Sequence, residues 1–428
     1  MKTLKSVREA DLRNKIVLVR VDHNVVKKGL IHDPYRIDVT FSTLFHIVSK
    51  GGKLILMTHN GRPKNKKTGE ISISDDSSIA PIVDYLKKKL QVEFIIPNFK
   101  AEENKGIVNF IDDLKPMVEQ LRNGEIDGIY LPNTRWFAGE EDKAELAEAM
   151  AIDLSSIADV FVNDAFGSWQ AHTSTYKIAE KLPSYAGFLM EKEITNLERI
   201  FKPNRPFIAV VAGSKFDTKI EPLYALLREA DYLVLGGVMY NAYLCAKYGF
   251  SIKGIAEDDI EHARKFVEYS NQFPGKIIEL KYIIESDTLE GKIEGKYRKH
   301  NILMLDKGAQ LNYILDIAKE SFNDPEVHSI FHKAHTIFVN AVMGFTPYFN
   351  EGTIALDELI DDNPEGIKLY GGGDTLQELK RLLPGLYIMA IDSPQYYIFT
   401  GGGAVLKAVE SGNALGIKPI SLLTIEKK

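Results

Sequence analysis

Phosphate is held by glycine-opened helix starts, side-chain amides and cationic groups, and four stretches of this 428-residue chain supply them. They read Arg-Val-Asp-His-Asn (20–24), Met-Thr-His-Asn-Gly-Arg-Pro (57–63), Ala-Gly-Ser-Lys-Phe-Asp-Thr-Lys (212–219) and Tyr-Gly-Gly-Gly-Asp-Thr (370–375), each ending an apolar run. In the last, Gly371, Gly372 and Gly373 let backbone N–H groups approach a phosphate, and a helix opening there adds its dipole. A purely structural glycine turn is the competing reading, which Gly401-Gly402-Gly403-Ala404 weakens by repeating the pattern after the next strand. Asp374 suits either a helix cap or a ligand to magnesium bridging phosphates. Leu376 and Leu406 stand where Gly-x-Gly-x-x-Gly needs its last glycine, and no Walker loop occurs, so P-loop and dinucleotide chemistry are disfavoured.

Lys215 and Lys219 lie four residues apart at a helix start, where two ammonium groups repel unless an anion sits between them. A solvated helix start explains one lysine better than the pair. In the N-terminal half Arg36, His59, Arg62 and Arg135 follow or lie near strand ends. Any one of them alone reads as a surface ion-pair residue, but four at the ends of one sheet point to a shared anion site. Asp22 and Asn24 then suit the hydroxyls of the same ligand. His172 and the turn Asn163-Asp164-Ala165-Phe166-Gly167 belong to that rim, with Phe166 itself reading as core. No Ser-His-Asp set, Cys-His pair or His-Glu-x-x-His motif stands out. Phosphoryl transfer to or from an acid anhydride needs none of them. A carboxylate and an ADP phosphate are both ionised, so catalysis rests on position and on charge from Arg, Lys and Mg²⁺.

These groups need a scaffold that brings strand ends together. Short runs rich in Val, Ile, Leu and Tyr predict strands near 15–22, 53–58, 92–96, 127–131 and 159–163. A second set falls near 207–212, 231–235, 276–284, 335–340, 367–371 and 396–400. They lack strict alternation, as strands covered on both faces do. Leu223, Leu226 and Leu227 after Ile220, and Leu379, Leu382 and Leu383 after Leu376, recur at helical spacing. The alternation predicts an α/β chain of two Rossmann-like, doubly wound parallel sheets with ligands at their carboxyl ends. The expected domains are 1–186 and 187–408, with a hinge helix over 187–200 and a segment 409–428 returning to the first. The polar run 64–78 reads as a solvated loop.

A formal charge of −6 argues against a general nucleic-acid binder. The single cysteine, Cys245, allows no intrachain disulfide and reads as a buried thiol on a helix. The polar start and the lack of any long apolar stretch point to the cytoplasm, with no membrane partner.

The four stretches, in this order, resemble the phosphoglycerate kinase family over essentially the whole chain. The resemblance implies glycolytic, Mg²⁺-dependent transfer between 1,3-bisphosphoglycerate and ADP, giving 3-phosphoglycerate and ATP, by a monomer that closes two domains. It places Asp22, Asn24, Arg36, His59, Arg62, Arg135 and His172 at the glycerate, with Arg36 also on the transferring group. Gly213, Ser214, Lys215, Lys219, Gly236, Gly237, Asn340, Gly344, Gly372, Gly373, Asp374 and Thr375 fall at the nucleotide. Arg36, Lys215, Lys219 and Gly371 to Gly373 are implied in catalysis, and Asp374 in holding the metal. Ser168-Trp169-Gln170-Ala171-His172 is one residue shorter than the family's run and lacks its arginine. Asn340-Ala-Val-Met-Gly-Phe-Thr-Pro347 lacks a glutamate associated with the ribose. A same-fold kinase acting on another carboxylate and a non-catalytic nucleotide-binding paralogue are the alternatives. Retention of Arg36, Lys215, Lys219 and Asp374 argues against the second of these.

Overall fold

The computed structural model describes residues 2–142, 144–216 and 219–426, so Asp217 and Thr218 of the third stretch lie outside the described residues. The chain divides into two compact units, one of residues 1–194 with 415–428, the other of 195–414. The helix Phe188–Phe201 runs through that division. Strand Thr424–Glu426 pairs antiparallel with Lys2–Leu4 inside the first unit.

Each unit is built on a six-stranded parallel sheet. In the first, the strands are β1 (Ile16–Val21), β2 (Lys53–Met57), β3 (Phe94–Ile95), β4 (Gly128–Tyr130), β5 (Val160–Asp164) and β6 (Ser184–Ala186), ordered β3-β4-β2-β1-β5-β6. Period-two geometry sends Val17, Val19 and Val21 of β1 to one face, where Leu44, Ile47, Ile82 and Leu86 cover them. Ile16 and Leu18 face the other way, onto Leu114, Val118, Met150 and Leu154. Helices on both faces are why these strands read as unbroken apolar runs. Arg20 sits on the second face at the carboxyl end of β1, and it is only 1% exposed.

The second unit holds β7 (Phe207–Gly213), β8 (Tyr232–Gly236), β9 (Ile277–Ile278), β10 (Thr336–Asn340), β11 (Ile367–Gly371) and β12 (Tyr396–Phe399), ordered β9-β8-β7-β10-β11-β12. Connections leave β7 towards β8 on one side and β10 on the other, which opens a crevice at the carboxyl ends of β7 and β10. Register pairs Val211 with Asn340, Ala212 with Gly236 and Gly371 with Phe399, so the glycine and amide positions reach one rim. Cys245 is buried in the helix Gly237–Tyr248.

The run 276–284 is two strands rather than one. After β9 the chain leaves the main sheet, and Tyr282–Ser286 joins a separate antiparallel sheet with Tyr297–Asn301 and Tyr313–Ile317. Two charged residues make the break. Glu279 accepts from the hydroxyls of Tyr243 and Tyr248, each at 2.8 Å, and Lys281 donates to Asp324 at 2.7 Å. Nor is 64–78 wholly solvated. Ile71 and Ser77 are buried, and Ser77 accepts from Trp136 Nε1 and Asn133 Nδ2.

Candidate active site

In the first unit, the ends of β1, β2 and β5 and the loops after them enclose a cleft of about 460 Å³. Arg20, Lys27, Arg62 and Arg135 line it against one carboxylate, Glu140, so the wall is strongly cationic. The buried Arg20 is held by burial below the ordinary arginine value, and each of its three nitrogens has a partner. Its Nε donates to Ser174 Oγ at 2.9 Å, Nη1 to the Val21 carbonyl at 2.5 Å, and Nη2 to His59 Nδ1 at 3.0 Å. Ser174 Oγ in turn donates to Glu140 at 2.6 Å. Arginine has no acceptor, so this contact fixes the neutral tautomer of His59 with its proton on Nε2. Burial first, then the charges of Arg20, Arg135 and Arg36, hold His59 well below the ordinary histidine value. A neutral Nε2–H donor on a cationic wall suits an anionic ligand.

Asn24, His59, Arg62, Arg135 and His172 all line this cleft. Asn24 Oδ1 accepts from Gly61 N at 2.9 Å, so its loop and that of His59 are tied together. Arg135 pairs with Glu141 at 2.8 Å and donates to the Gly61 carbonyl at 2.5 Å. His172 bonds Gln170 at 3.0 Å, and burial holds its pKa below the ordinary value. Arg36 and Asp22 stand apart from that lining as an ion pair, with Arg36 Nη1 also donating to the Asn24 carbonyl at 3.3 Å. Asp22 Oδ1 and Arg36 Nε are buried with no partner among the described residues, and both suit a ligand's polar groups. Buried His23 links Tyr130 at 2.9 Å and Thr40 at 3.1 Å, and burial drives its pKa down to about 3. It is a neutral strut beneath Asp22 and Asn24.

The second unit carries a cleft of about 490 Å³ at the β7–β10 crevice. Gly213, Ser214, Lys219, Gly237, Asn340, Gly344, Gly372, Gly373, Asp374 and Thr375 line it. Gly236 and Gly371 lie just beneath. Gly371 gives its carbonyl to Asn340 Nδ2 at 2.5 Å, and a Cβ on Gly236 would come 2.3 Å from Met343 Sδ. Gly372 holds φ +128°, a conformation for glycine, and caps the helix Gly373–Leu382. Asp374 is therefore inside the first turn and is not the cap. The second triple glycine packs directly on the first, since a Cβ on Gly402 would lie 2.3 Å from Gly372 Cα. Its role there is close packing.

Half-buried Lys219 points its ammonium at the Ala212 carbonyl, 2.5 Å away, and at Asn340 Oδ1, 2.6 Å away. Burial lowers its pKa to about 8, opposed by Asp374. Lys215 is exposed and outside the lining, and the helix begins at Ile220. Lys215 stands outside any helix, so the two lysines do not share a helical face. Asp316, which motif reading missed, also lines the cleft. Burial raises its pKa to about 7, and it accepts from Ile317 N at 2.9 Å and Gly352 N at 3.3 Å. It braces the wall at Gly344, where a Cβ would meet Asp316 Oδ1 at 2.7 Å.

Comparison with known proteins gives the family. Residues 7–412 match the family model described as phosphoglycerate kinase. The phosphoglycerate kinase of Coprothermobacter proteolyticus is 33% identical over 427 residues, covering 97% of this chain and 98% of that protein. That of Pseudothermotoga lettingae is 32% identical over 428 residues, with the same coverage of 97% and 98%. The solved phosphoglycerate kinase from Coxiella burnetii superposes with a TM-score of 0.73 at 27% identity, covering 98% of this chain and 99% of that one. The Pyrococcus horikoshii OT3 structure shares the fold at a TM-score of 0.76, with 24% identity and coverage of 98% and 99%. Neither a kinase for another carboxylate nor a non-catalytic paralogue is favoured by these matches. The chain belongs to the phosphoglycerate kinase family, phosphotransferases with a carboxyl group as acceptor.

Proposed function

We propose that the cationic cleft of the first unit holds the glycerate substrate, that the glycine-lined cleft of the second holds the nucleotide, and that domain closure brings the two together. The supporting observation is the division itself: four cationic side chains line the first cleft, while a glycine-opened helix start and Lys219 line the second. The reaction is the glycolytic, reversible transfer between 1,3-bisphosphoglycerate and ADP. The P–O bond to the carboxylate oxygen breaks and one to the ADP terminal phosphate forms, with no proton to remove. Each residue then has a role of position or charge. Arg62, Arg135 and the Nε2–H of His59 bind the glycerate, and Asp22 and Asn24 take its hydroxyl. Arg36 meets the transferring group. Lys219, Lys215 and the amides of Gly372 and Gly373 hold the nucleotide phosphates, beside Gly213, Ser214, Gly237, Asn340 and Thr375. Closure also excludes water, which would otherwise hydrolyse the acyl phosphate.

Magnesium fits this arrangement. Asp374 is exposed on the cleft wall, and its carboxylate has no hydrogen bond or ion pair among the described residues. No cluster of three or more His, Cys, Asp or Glu able to hold a metal occurs among the described residues. One carboxylate plus phosphate oxygens is how Mg²⁺ is commonly held at nucleotide sites. Bound there, the ion would neutralise charge on the phosphates.

Steady-state kinetics with 3-phosphoglycerate and MgATP test the division. Arg62→Ala is expected to raise KM for 3-phosphoglycerate by roughly tenfold to a hundredfold, the worth of a charge-assisted contact, and to spare KM for ATP. Asp374→Ala is expected to do the reverse and to raise the magnesium requirement. If either variant moves the other substrate's KM instead, the assignment of clefts fails.

A further inference from the structure

We propose that Lys27 binds the phosphate of the glycerate substrate, in place of the arginine missing from the loop 168–172. The inference rests on the reading that the first unit's cleft holds that substrate. It starts from a census of donors. Four cationic side chains line the cleft, and two of them already have protein partners. Arg20 is tied to Ser174, Val21 and His59, and Arg135 to Glu141 and Gly61. His172, the obvious substitute for the absent arginine, is bonded to Gln170, and burial keeps its imidazole from charging readily. Arg62 and Lys27 remain. Neither has a side-chain hydrogen bond or ion pair among the described residues, and both are exposed to the cleft. A phosphate monoester carries about −1.5 to −2 charges at neutral pH, by analogy with phosphoserine; the charge of Arg135 is already matched by Glu141, so the one unpaired guanidinium, Arg62, leaves it short of balance. A second free cation completes it.

The backbone holds Lys27 in place for this. Strand Val26–Lys27 pairs antiparallel with Leu30–Ile31. The turn between them has φ +50° at Lys28 and +74° at Gly29, the left-handed pair a tight hairpin needs. Val26 is buried and its N–H donates to Asn60 Oδ1 at 3.2 Å, and the exposed Lys27 beside it lines the cleft with it. The hairpin is thus tied to the loop that carries His59 and Arg62. Lysine is a flexible point charge where the missing residue was a planar fork, so geometry matters less than charge at this position.

Titration calorimetry of the full-length protein with 3-phosphoglycerate tests the proposal, using wild type, Lys27→Gln, Lys27→Arg and Arg62→Gln at two ionic strengths. Lys27→Gln is expected to raise Kd by about tenfold, with a shallower salt dependence, while Lys27→Arg stays within about threefold of wild type. Position 27 is exposed at a hairpin, and thermal melting checks that each variant folds. A wild-type Kd in Lys27→Gln with a weakened Arg62→Gln overturns the Lys27 assignment and leaves the cleft standing. A wild-type Kd in both overturns the placement of the substrate, and the Lys27 assignment with it.

Discussion

Lys219→Met is expected to lower kcat by roughly 10²–10³-fold, the usual cost of removing one preorganised donor from developing charge. Two of the three ammonium donors are fixed by Ala212 and Asn340, which aims the third without a cost in reorganisation at the moment of transfer. The pH profile separates this role from simple packing. With its pKa lowered to about 8, Lys219 is charged below that pH and neutral above it. The kcat/KM for nucleotide in wild type should therefore fall as pH rises through about 8. The limb in kcat should come later, because bound phosphates favour the ammonium. In Lys219→Met the alkaline limb should disappear. A limb that persists in the variant belongs to another group.

Arg36→Ala is expected to cost kcat on the same scale, roughly 10²–10³-fold, with a smaller rise in KM. The side chain pairs with Asp22, yet Arg36 Nε and Asp22 Oδ1 are buried and unpartnered among the described residues. Buried polar atoms without partners are costly, and a ligand that supplies them recovers that cost. Truncation to alanine also strands the buried Asp22 carboxylate, so a loss of stability would confuse the reading. Arg36→Lys keeps a cation beside Asp22 and controls for it. It should melt near wild type and still lose at least about tenfold in kcat, since an ammonium cannot supply the fork. A fully active Arg36→Lys would reduce Arg36 to a strut for Asp22.

Much of this is legible in the chain. Strands buried on both faces read as apolar runs, so Gly371 and Gly213 mark the rim simply by ending them. Arg20 is equally visible, one charge inside Ile16–Val21, and a buried arginine in a parallel strand signals a polar network that motif reading passed over. Other features depend on contacts that sequence spacing does not carry. The Lys215–Lys219 pair presumed a helix start between the two residues, whereas the helix begins at Ile220. His172 offers itself as a cation until Gln170 and burial are seen around it. Lys27 sits in Val-Lys-Lys-Gly, which reads as a solvated turn until the hairpin aims it at the cleft. The polar strand Tyr297–Asn301 has no apolar run to announce it and forms because Tyr282–Ser286 offers an edge.

If donor and acceptor bind to different units, as proposed, they must be drawn together for transfer. Small-angle scattering tests it on one preparation that shows 3-phosphoglycerate-dependent ADP formation from MgATP. The radius of gyration is measured free, with each ligand alone, and with 3-phosphoglycerate and a non-hydrolysable Mg-nucleotide together. A clear decrease is expected with both ligands that neither produces alone. An identical radius in all four samples would contradict it.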